Sequence, residues 1–195
     1  MQRPVAHAAP LAALLCAIAV AGFGGGFAEF SHLQHPIGLL GASLVPRAGA
    51  FNVLAFILPG VLAAVAAVGA RGHLAGAGWP ARIGAQALLL SALAFAAQGL
   101  FPLDSTDIDG AGSRLHAAAW TAWWIASGVG AALLAWGSRK RRDRHMPAAA
   151  ACFAAAVLFA LLLPGLLPAG LSQRIAYAAW FAGLWLAGRL SRTAA

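Results

Sequence analysis

The sequence predicts an all-α integral membrane protein with six transmembrane helices. Of its 195 residues, 62% are hydrophobic and only 9% are charged, and the mean hydropathy is +0.80. Soluble domains carry about 25% charged residues, so a water-soluble fold of this composition would expose large apolar surfaces. The apolar runs are continuous and do not alternate with polar residues, which favours helices over the strands of a membrane barrel. We therefore expect residues 1–195 to form a single transmembrane domain.

Six segments are apolar enough, and at about 20 residues long enough, to cross a bilayer. They cover residues 8–28, 49–70, 81–101, 114–137, 147–167 and 171–190. The first segment also resembles a cleaved secretory signal, because Arg3 precedes it and residues 19–21 (AVA) are typical of a cleavage site. A retained helix is the preferred interpretation, since apolar residues continue through GFGGGF.

Small and polar side chains predict specific features of the spans. Gly22 and Gly26 have the four-residue spacing of a close helix contact. Pro59 lies in the middle of the second segment and should kink that helix, because proline removes a backbone hydrogen bond. We interpret the polar residues within the spans as helix-to-helix hydrogen-bonding groups. These residues are Asn52, Gln86, Ser91, Gln98 and Thr121.

The last three segments carry a helix start, an aromatic face and a turn. Ser113 is the predicted N-cap of the fourth helix. His116, Trp120 and Trp123 then share one face of that helix, either as an interfacial aromatic belt or as the wall of a pocket. Two prolines within residues 164–168 predict the turn between the fifth and sixth segments.

Basic residues are concentrated on one side of the predicted bundle. The side that contains both termini receives Arg3, Arg71, Arg82, Arg139, Lys140, Arg141, Arg142, Arg144, Arg189 and Arg192. The other side receives Arg47, Arg114 and Arg174. This alternation predicts that the N- and C-termini are cytoplasmic. The net charge of +8 is thus explained by membrane orientation, and we expect membrane lipid as the partner, with no nucleic acid and no evident soluble partner.

Most residues able to perform chemistry gather on the side predicted to be extracytoplasmic. They are Glu29, His32, His35, Asp104, Asp107, Asp109 and His116. Ionisable residues are absent from the middle of the spans, and no inverted repeat of broken helices is evident. Both observations disfavour ion-coupled transport. The sequence therefore predicts a polar extracytoplasmic site, for which three interpretations remain.

Two of the interpretations involve a divalent metal. From residue 105 onward, the order S-x-D-x-D-G resembles part of a calcium-binding loop, but it lacks the first acid and the final glutamate. Alternatively, histidines and an aspartate could hold zinc, which would activate water for attack on a lipid ester or amide. The candidate ligands are His32, His35, Asp107, Asp109 and His116.

The third interpretation requires no metal or other cofactor, and it is the preferred one. Arg47, Arg114 and Arg174 could pair with the aspartates while His116 donates a hydrogen bond. Such a network would fix the loops, or it would recognise a lipid head group at the interface.

Four stretches resemble the bacterial and archaeal family 998 of the domains of unknown function. They are SHLQHPIGLLGA (31–42), PRAGAFNVLAFILPG (46–60), GLFPLD (99–104) and His116 at the head of the fourth segment. The motif positions are Leu40, Gly41, Ala42, Ala48, Phe51, Asn52, Gly99, Phe101, Pro102, Asp104 and His116. The likeness covers about residues 27–137, and the last two segments match only in hydrophobicity.

The resemblance implies a six-span protein of a bacterial inner membrane, but no activity, because the function of that family is not established. It singles out Asp104 and His116 as the centre of the predicted pocket. The remaining predicted pocket residues are His32, His35, Asn52 and Arg114. We expect this pocket to bind a lipid or small amphiphile. A metal-dependent intramembrane lipid hydrolase and a small-solute transporter are the two alternatives.

Overall fold

The computed structural model of the chain describes residues 2–74, 78–139 and 145–189. These residues form helices and connections, with no strand in the described ranges. The helices are α1 (Gln2–Gly24), α2 (Ala48–Asn52, the π-helical Val53–Ile57 and Leu58–His73, in direct succession), α3 (Trp79–Leu100), α4 (Ala111–Ser138), α5 (His145–Leu161) and α6 (Ala169–Arg189). A short 3-10 helix, Ile37–Gly41, lies in the first connection.

Each predicted segment overlaps one helix. Four of the helices are long and apolar enough to cross a membrane. Those four stretches are His7–Gly24, Ala48–Gly72, Trp79–Leu100 and Ala111–Ser138. The fifth helix, His145–Leu161, is apolar but shorter. The protein is therefore all-helical over the described residues and compatible with a membrane protein.

Two predicted segment ends were wrong, and local chemistry explains both. Helix α1 ends at Gly24 and not at residue 28, because three consecutive glycines, residues 24–26, weaken the helix. Helix α5 ends at Leu161 and not at residue 167, because Pro164 cannot continue a helix and disfavours helical geometry in the residue before it.

Part of the basic side predicted from the sequence lies outside the described residues. This applies to Lys140, Arg141, Arg142, Arg144 and Arg192, and to the side chain of Arg3.

The six helices form a ring in which each packs against the next, and α6 closes the ring against α1 and also contacts α2. The centre of this ring of helices is filled by aromatic side chains. Phe95 stacks on Trp180 with 5.0 Å between ring centroids, and the Trp123 ring meets that of Tyr177 edge-on at 5.0 Å. These four side chains are fully buried or nearly so. The ring therefore encloses a tightly packed core.

The sequence predicted a kink at Pro59, and the structure has a π-helical stretch that ends two residues before this proline. Proline has no N–H to donate to the carbonyl four residues earlier, and its ring crowds that carbonyl. A wider π turn at Val53–Ile57 is a local way to accommodate both effects.

Glycines bring α2, α3 and α4 close together. A Cβ placed on Gly60 would lie 2.6 Å from the Cβ of Ala96, and one on Gly130 would lie 2.9 Å from Leu88. The close contact predicted at Gly22 and Gly26 is not observed. Nothing lies within 4 Å of a Cβ on Gly22, and one on Gly26 would meet only backbone oxygens of its own segment.

Three connections meet at one end of the ring, which we call the loop end: residues 25–47, 101–110 and 162–168. The Ser43 N–H donates to the Leu103 carbonyl oxygen at 2.9 Å and joins the first two connections. The Leu171 N–H, just after the third connection, donates to the Leu33 carbonyl oxygen at 2.8 Å. The residues predicted to form the site therefore lie at a common end of the molecule.

Candidate functional site

His116 lies near the start of α4 and caps the end of α3. Its Nδ1 lies 3.0 Å from the Gln98 carbonyl oxygen and 2.9 Å from that of Phe101. Carbonyl oxygens only accept hydrogen bonds, so Nδ1 carries the proton. The last carbonyls of a helix have no partner within it, and this imidazole supplies one. The half-buried His116 ring therefore joins two helices.

A chain of polar groups connects the 3-10 helix to α3 through α6. The Ile37 N–H donates to Gln173 Oε1 at 2.6 Å, and Gln173 Nε2 lies 3.5 Å from the Tyr177 hydroxyl. That hydroxyl donates to Gln98 Oε1 at 2.8 Å. Because a backbone N–H can only donate, the Ile37 N–H determines which group donates and which accepts at each later hydrogen bond of this series. One consequence is that Gln98 Nε2 is buried without an acceptor.

Asn52 ties the start of α2 to the 3-10 helix. Its Nδ2 donates to the Gly41 carbonyl oxygen at 2.9 Å, and the residue is only 6% exposed. A Cβ on residue 41 would overlap the Asn52 amide, so this contact requires glycine. The two residues therefore act as a structural pair.

Asp104 organises the connection between α3 and α4. Its Oδ1 accepts hydrogen bonds from the Thr106 hydroxyl at 2.7 Å, the Thr106 N–H at 2.9 Å and the Asp107 N–H at 3.3 Å. The buried Ser113 hydroxyl donates to the Asp107 carbonyl oxygen at 2.9 Å. The prediction of Ser113 as the N-cap was wrong, because α4 begins at Ala111 and this hydroxyl holds the preceding loop instead.

The hydrogen bonds to Asp104 lower its pKa below the ordinary value of 3.8. The Thr106 hydroxyl is the largest cause, followed by the Thr106 N–H, because both stabilise the charged form. The ionised carboxylate is thus stabilised chiefly within its own loop, with a smaller contribution to the pKa from the Ser43 side chain of the first connection. Asp107, Asp109 and Arg114 are exposed.

Residues 31–35 cap the N-terminus of α6. Besides the Leu171 bond, the Gly170 N–H donates to the Gln34 carbonyl oxygen at 3.3 Å. Arg174 Nη1 donates to the carbonyl oxygens of His35, at 3.0 Å, and Gly170, at 2.7 Å. The first N–H groups of a helix lack partners within it, so this segment completes α6 and holds Arg174 in place.

His32 and Phe30 complete the surroundings of the Arg174 guanidinium. Arg174 Nη2 lies 3.3 Å from His32 Nδ1, and the guanidinium carbon lies 5.7 Å from the centre of the Phe30 ring. Arginine only donates, so His32 Nδ1 accepts and its Nε2 carries the proton. His35 has the same tautomer, because its Nδ1 accepts from the Ser31 N–H at 3.0 Å.

The charge of Arg174 is not balanced by any carboxylate among the side chains that the structure describes. Its hydrogen-bond acceptors are two backbone carbonyls and a neutral imidazole nitrogen. Its Nε is buried and has no acceptor. The predicted pairing of Arg47, Arg114 and Arg174 with the aspartates is likewise not seen in the described ranges.

An apolar groove of about 710 Å³ runs between α1 and α6. Small side chains provide the space, chiefly Ala13 and Ala17 from α1 and Ala178 and Ala182 from α6. The groove extends over residues 10–21 of α1, a distance of about 17 Å at the rise of an α-helix. Arg174 and His32 line it at the loop end, so a long apolar cleft terminates in a positive charge.

The residues predicted to form one pocket make three different sets of contacts. His32 and His35 belong to the segment that caps α6, whereas Asn52 and His116 hold helix ends together. Asp104 and Arg114 lie in or beside the α3–α4 connection. Of these six residues, only His32 lines the α1–α6 groove.

The predicted metal ligands do not form a three-residue cluster in the described ranges. No three histidine, cysteine, aspartate or glutamate side chains in the described part of the chain lie close enough to hold an ion. His116 uses Nδ1 to cap α3, and Asp107 and Asp109 are exposed in the loop.

From the sequence, Arg174 was predicted as an orientation marker and as one possible partner of the aspartates, and Tyr177 was not among the predicted site residues. A signal for both was present. Arg174, Tyr177, Phe181 and Trp185 recur at helical spacing on one face of the last segment, and all four line the groove. A basic residue at the end of an apolar helical face is the pattern that marks this site.

No protein-family model, curated protein or solved structure matches the chain. Its functional assignment therefore depends on the geometry of the groove and the loop end.

Proposed function

We propose that this chain is a membrane protein that binds a lipid or small amphiphile in the α1–α6 groove. The observation that carries the proposal is the pairing of an apolar cleft with a polar end formed by Arg174 and His32. Ligand sites commonly combine apolar walls with a few polar groups that fix orientation. An elongated molecule with an apolar chain and a polar head matches both parts.

We further propose that all six helices cross the inner membrane of a bacterium, with both termini in the cytoplasm. Helix α5 has 17 residues, which correspond to about 26 Å at helical rise, close to the roughly 30 Å hydrocarbon core. The leucine-rich residues 161–167 that follow it add apolar surface. In this orientation the loop end is extracytoplasmic, and the proposed ligand enters from the outer leaflet.

Membership in family 998 of the domains of unknown function is part of the proposal. The contact between Asn52 and Gly41 supports it, because both residues are motif positions and each constrains the other. His116 and the Gly99–Phe101 region, also motif positions, meet at the end of α3. The lipid-hydrolase and transporter alternatives gain no comparable support from the described residues.

The proposal is tested by filling the groove. Ala178 is an exposed residue of α6 that lines the cleft, and Ala178→Trp would occupy it. We expect the purified variant to retain much less lipid than the parent when bound lipids are extracted and quantified by mass spectrometry. Ala154→Trp, the same substitution at an exposed α5 position outside the groove, is the matched control. Equal lipid content in all three proteins would refute binding in this groove.

A further inference from the structure

We propose that the occupant of the α1–α6 groove is an anionic amphiphile whose phosphate or carboxylate head pairs with Arg174. The inference rests on the proposed function and narrows it to a class of ligand. It follows from the charge at the end of the groove, from the hydrogen-bonding capacity left there and from the apolar walls.

The charge at the end of the groove has no partner of opposite sign among the described side chains. Arg174 bonds to the carbonyl oxygens of His35 and Gly170 and to His32 Nδ1, all of them neutral acceptors. A guanidinium forms its strongest hydrogen bonds with carboxylates and phosphates, frequently through two parallel N–H groups. An anionic head would therefore supply the charge that the described side chains do not.

Unused hydrogen-bonding capacity remains on the same groups. Arg174 Nε has no acceptor, and Nη2 has one acceptor for its two hydrogens. His32 accepts through Nδ1, so its Nε2–H is available as a donor, and the ring is exposed. The ring lies against Gly24, where an added Cβ would fall 2.5 Å from His32 Cε1. His32 thus bridges the end of α1 and Arg174 at the mouth of the groove.

The groove next to this charge excludes a purely polar ligand. Its walls are alanine, valine, proline and aromatic side chains, with Cys16 midway along α1. A free inorganic anion would leave these walls uncovered, whereas a chain attached to the head would bury them at roughly 25 cal/mol per Å². The favoured ligand therefore combines an anionic head with an apolar chain.

An introduced cysteine provides a direct readout of occupancy. Cys16 itself is buried, whereas Ala17 lines the groove and is exposed, so the reporter is Ala17→Cys in a protein that also carries Cys16→Ala and Cys152→Ser. The labelling rate of this reporter cysteine by N-ethylmaleimide is measured by intact mass, in a neutral maltoside detergent. Dodecyl phosphate, dodecylphosphocholine and inorganic phosphate serve as the probes. The first two have the same chain and differ in the net charge of the head.

We expect dodecyl phosphate to protect the reporter cysteine at a concentration about tenfold lower than dodecylphosphocholine, the effect of one charge-assisted contact. Inorganic phosphate should give no protection. Arg174→Gln should reduce the difference between the two amphiphiles to less than about twofold, whereas Arg174→Lys should keep most of it. Arg47→Gln removes the same charge at the loop end but outside this groove, and it should leave the difference between the two amphiphiles unchanged.

Each other outcome has a definite meaning. Equal protection by both amphiphiles would overturn the anionic preference while leaving the proposed function intact. Absence of protection by either would overturn both. Protection by inorganic phosphate alone would indicate a simple anion site and refute an amphiphile. If Arg174→Gln does not fold, the comparison of the two amphiphiles in the protein with Arg174 unchanged still shows whether the groove prefers an anionic head.

Discussion

The three histidines at the loop end adopt two tautomers, and the hydrogen-bond partner of each histidine determines which one. His116 carries its proton on Nδ1 because it faces two carbonyl oxygens, whereas His32 and His35 accept through Nδ1 from donors. The first therefore acts as a helix cap. Of these three histidines, His32 is the one that lines the groove, and it carries its proton on Nε2. The same residue type therefore has different roles at the loop end.

His116→Phe tests the capping role. Phenylalanine keeps the ring volume but removes the donor, so the Gln98 and Phe101 carbonyls lose their bond to Nδ1. We expect a loss of about 1–3 kcal/mol in the free energy of unfolding, the cost of leaving buried polar groups unpaired. Thermal unfolding in detergent measures it. Thr121→Val, at an exposed position of the same helix, should change little, and a stable His116→Phe protein would show that the cap is dispensable.

Asp104 should make stability depend on pH in the acid range. Its folded-state pKa is below 3.8, chiefly because of the Thr106 hydroxyl. Its contribution is therefore complete above the unfolded-state pKa and declines as the pH falls through the folded-state pKa. We expect the melting temperature to drop below about pH 4, and to drop less in Asp104→Asn. Identical pH profiles for the two proteins, measured between pH 3 and 7, would contradict this role.

At the scale of elements, α6 is the helix that assembles the site. Residues 31–35 cap its N-terminus, Tyr177 connects it to α3, and Arg174 stands at the end of its groove-facing side. The first connection therefore determines the position of a helix more than a hundred residues away in the chain. Distortion of this contact should displace Arg174.

Gly170→Ala should disrupt that contact. An added Cβ would lie 2.5 Å from the His35 carbonyl oxygen and 2.8 Å from that of Leu33, both of them backbone atoms. We expect a loss of about 1–3 kcal/mol in stability, the usual cost of overpacking. Gly165→Ala is the matched control, since nothing lies within 4 Å of its Cβ. Unfolding curves of the two variants in the same detergent should separate clearly. Coincident curves would argue against a rigid cap.

At the scale of the whole molecule, the ring of helices separates an aromatic centre from an apolar exterior. The buried rings of Phe95, Trp123 and Trp180 fill the centre. Large side chains such as Leu14, Leu90 and Leu162 are more than half exposed on the outside. In water this exterior would favour aggregation, whereas in a bilayer it contacts lipid chains.

The proposed orientation is tested with single cysteines in a protein lacking Cys16 and Cys152. Ser105 lies at the loop end and Arg139 follows α4 at the opposite end, and both are exposed. In intact cells we expect a membrane-impermeant maleimide to label Ser105→Cys but not Arg139→Cys. Both should be labelled after permeabilisation. The reverse pattern would place the termini outside.

Composition and the continuity of apolar runs were sufficient to predict the helical fold. Long apolar segments must satisfy their backbone groups internally, whatever their neighbours are. The positions of the helices followed from the same property. Helix ends were less accurate at residues 24 and 161, because they depend on a balance between glycine, proline and local contacts.

The site itself was decided by the tertiary structure. Asp104, His32 and His116 share a sidedness that the sequence could predict. No spacing could show that Asp104 would bond within its own loop, His116 to the end of α3 and His32 to Arg174 of α6. The α1–α6 groove arises only because the last helix packs against the first. Contacts between residues so far apart in the chain depend on the closure of the ring of helices. They place Arg174 beside an apolar cleft, with no carboxylate partner among the described side chains.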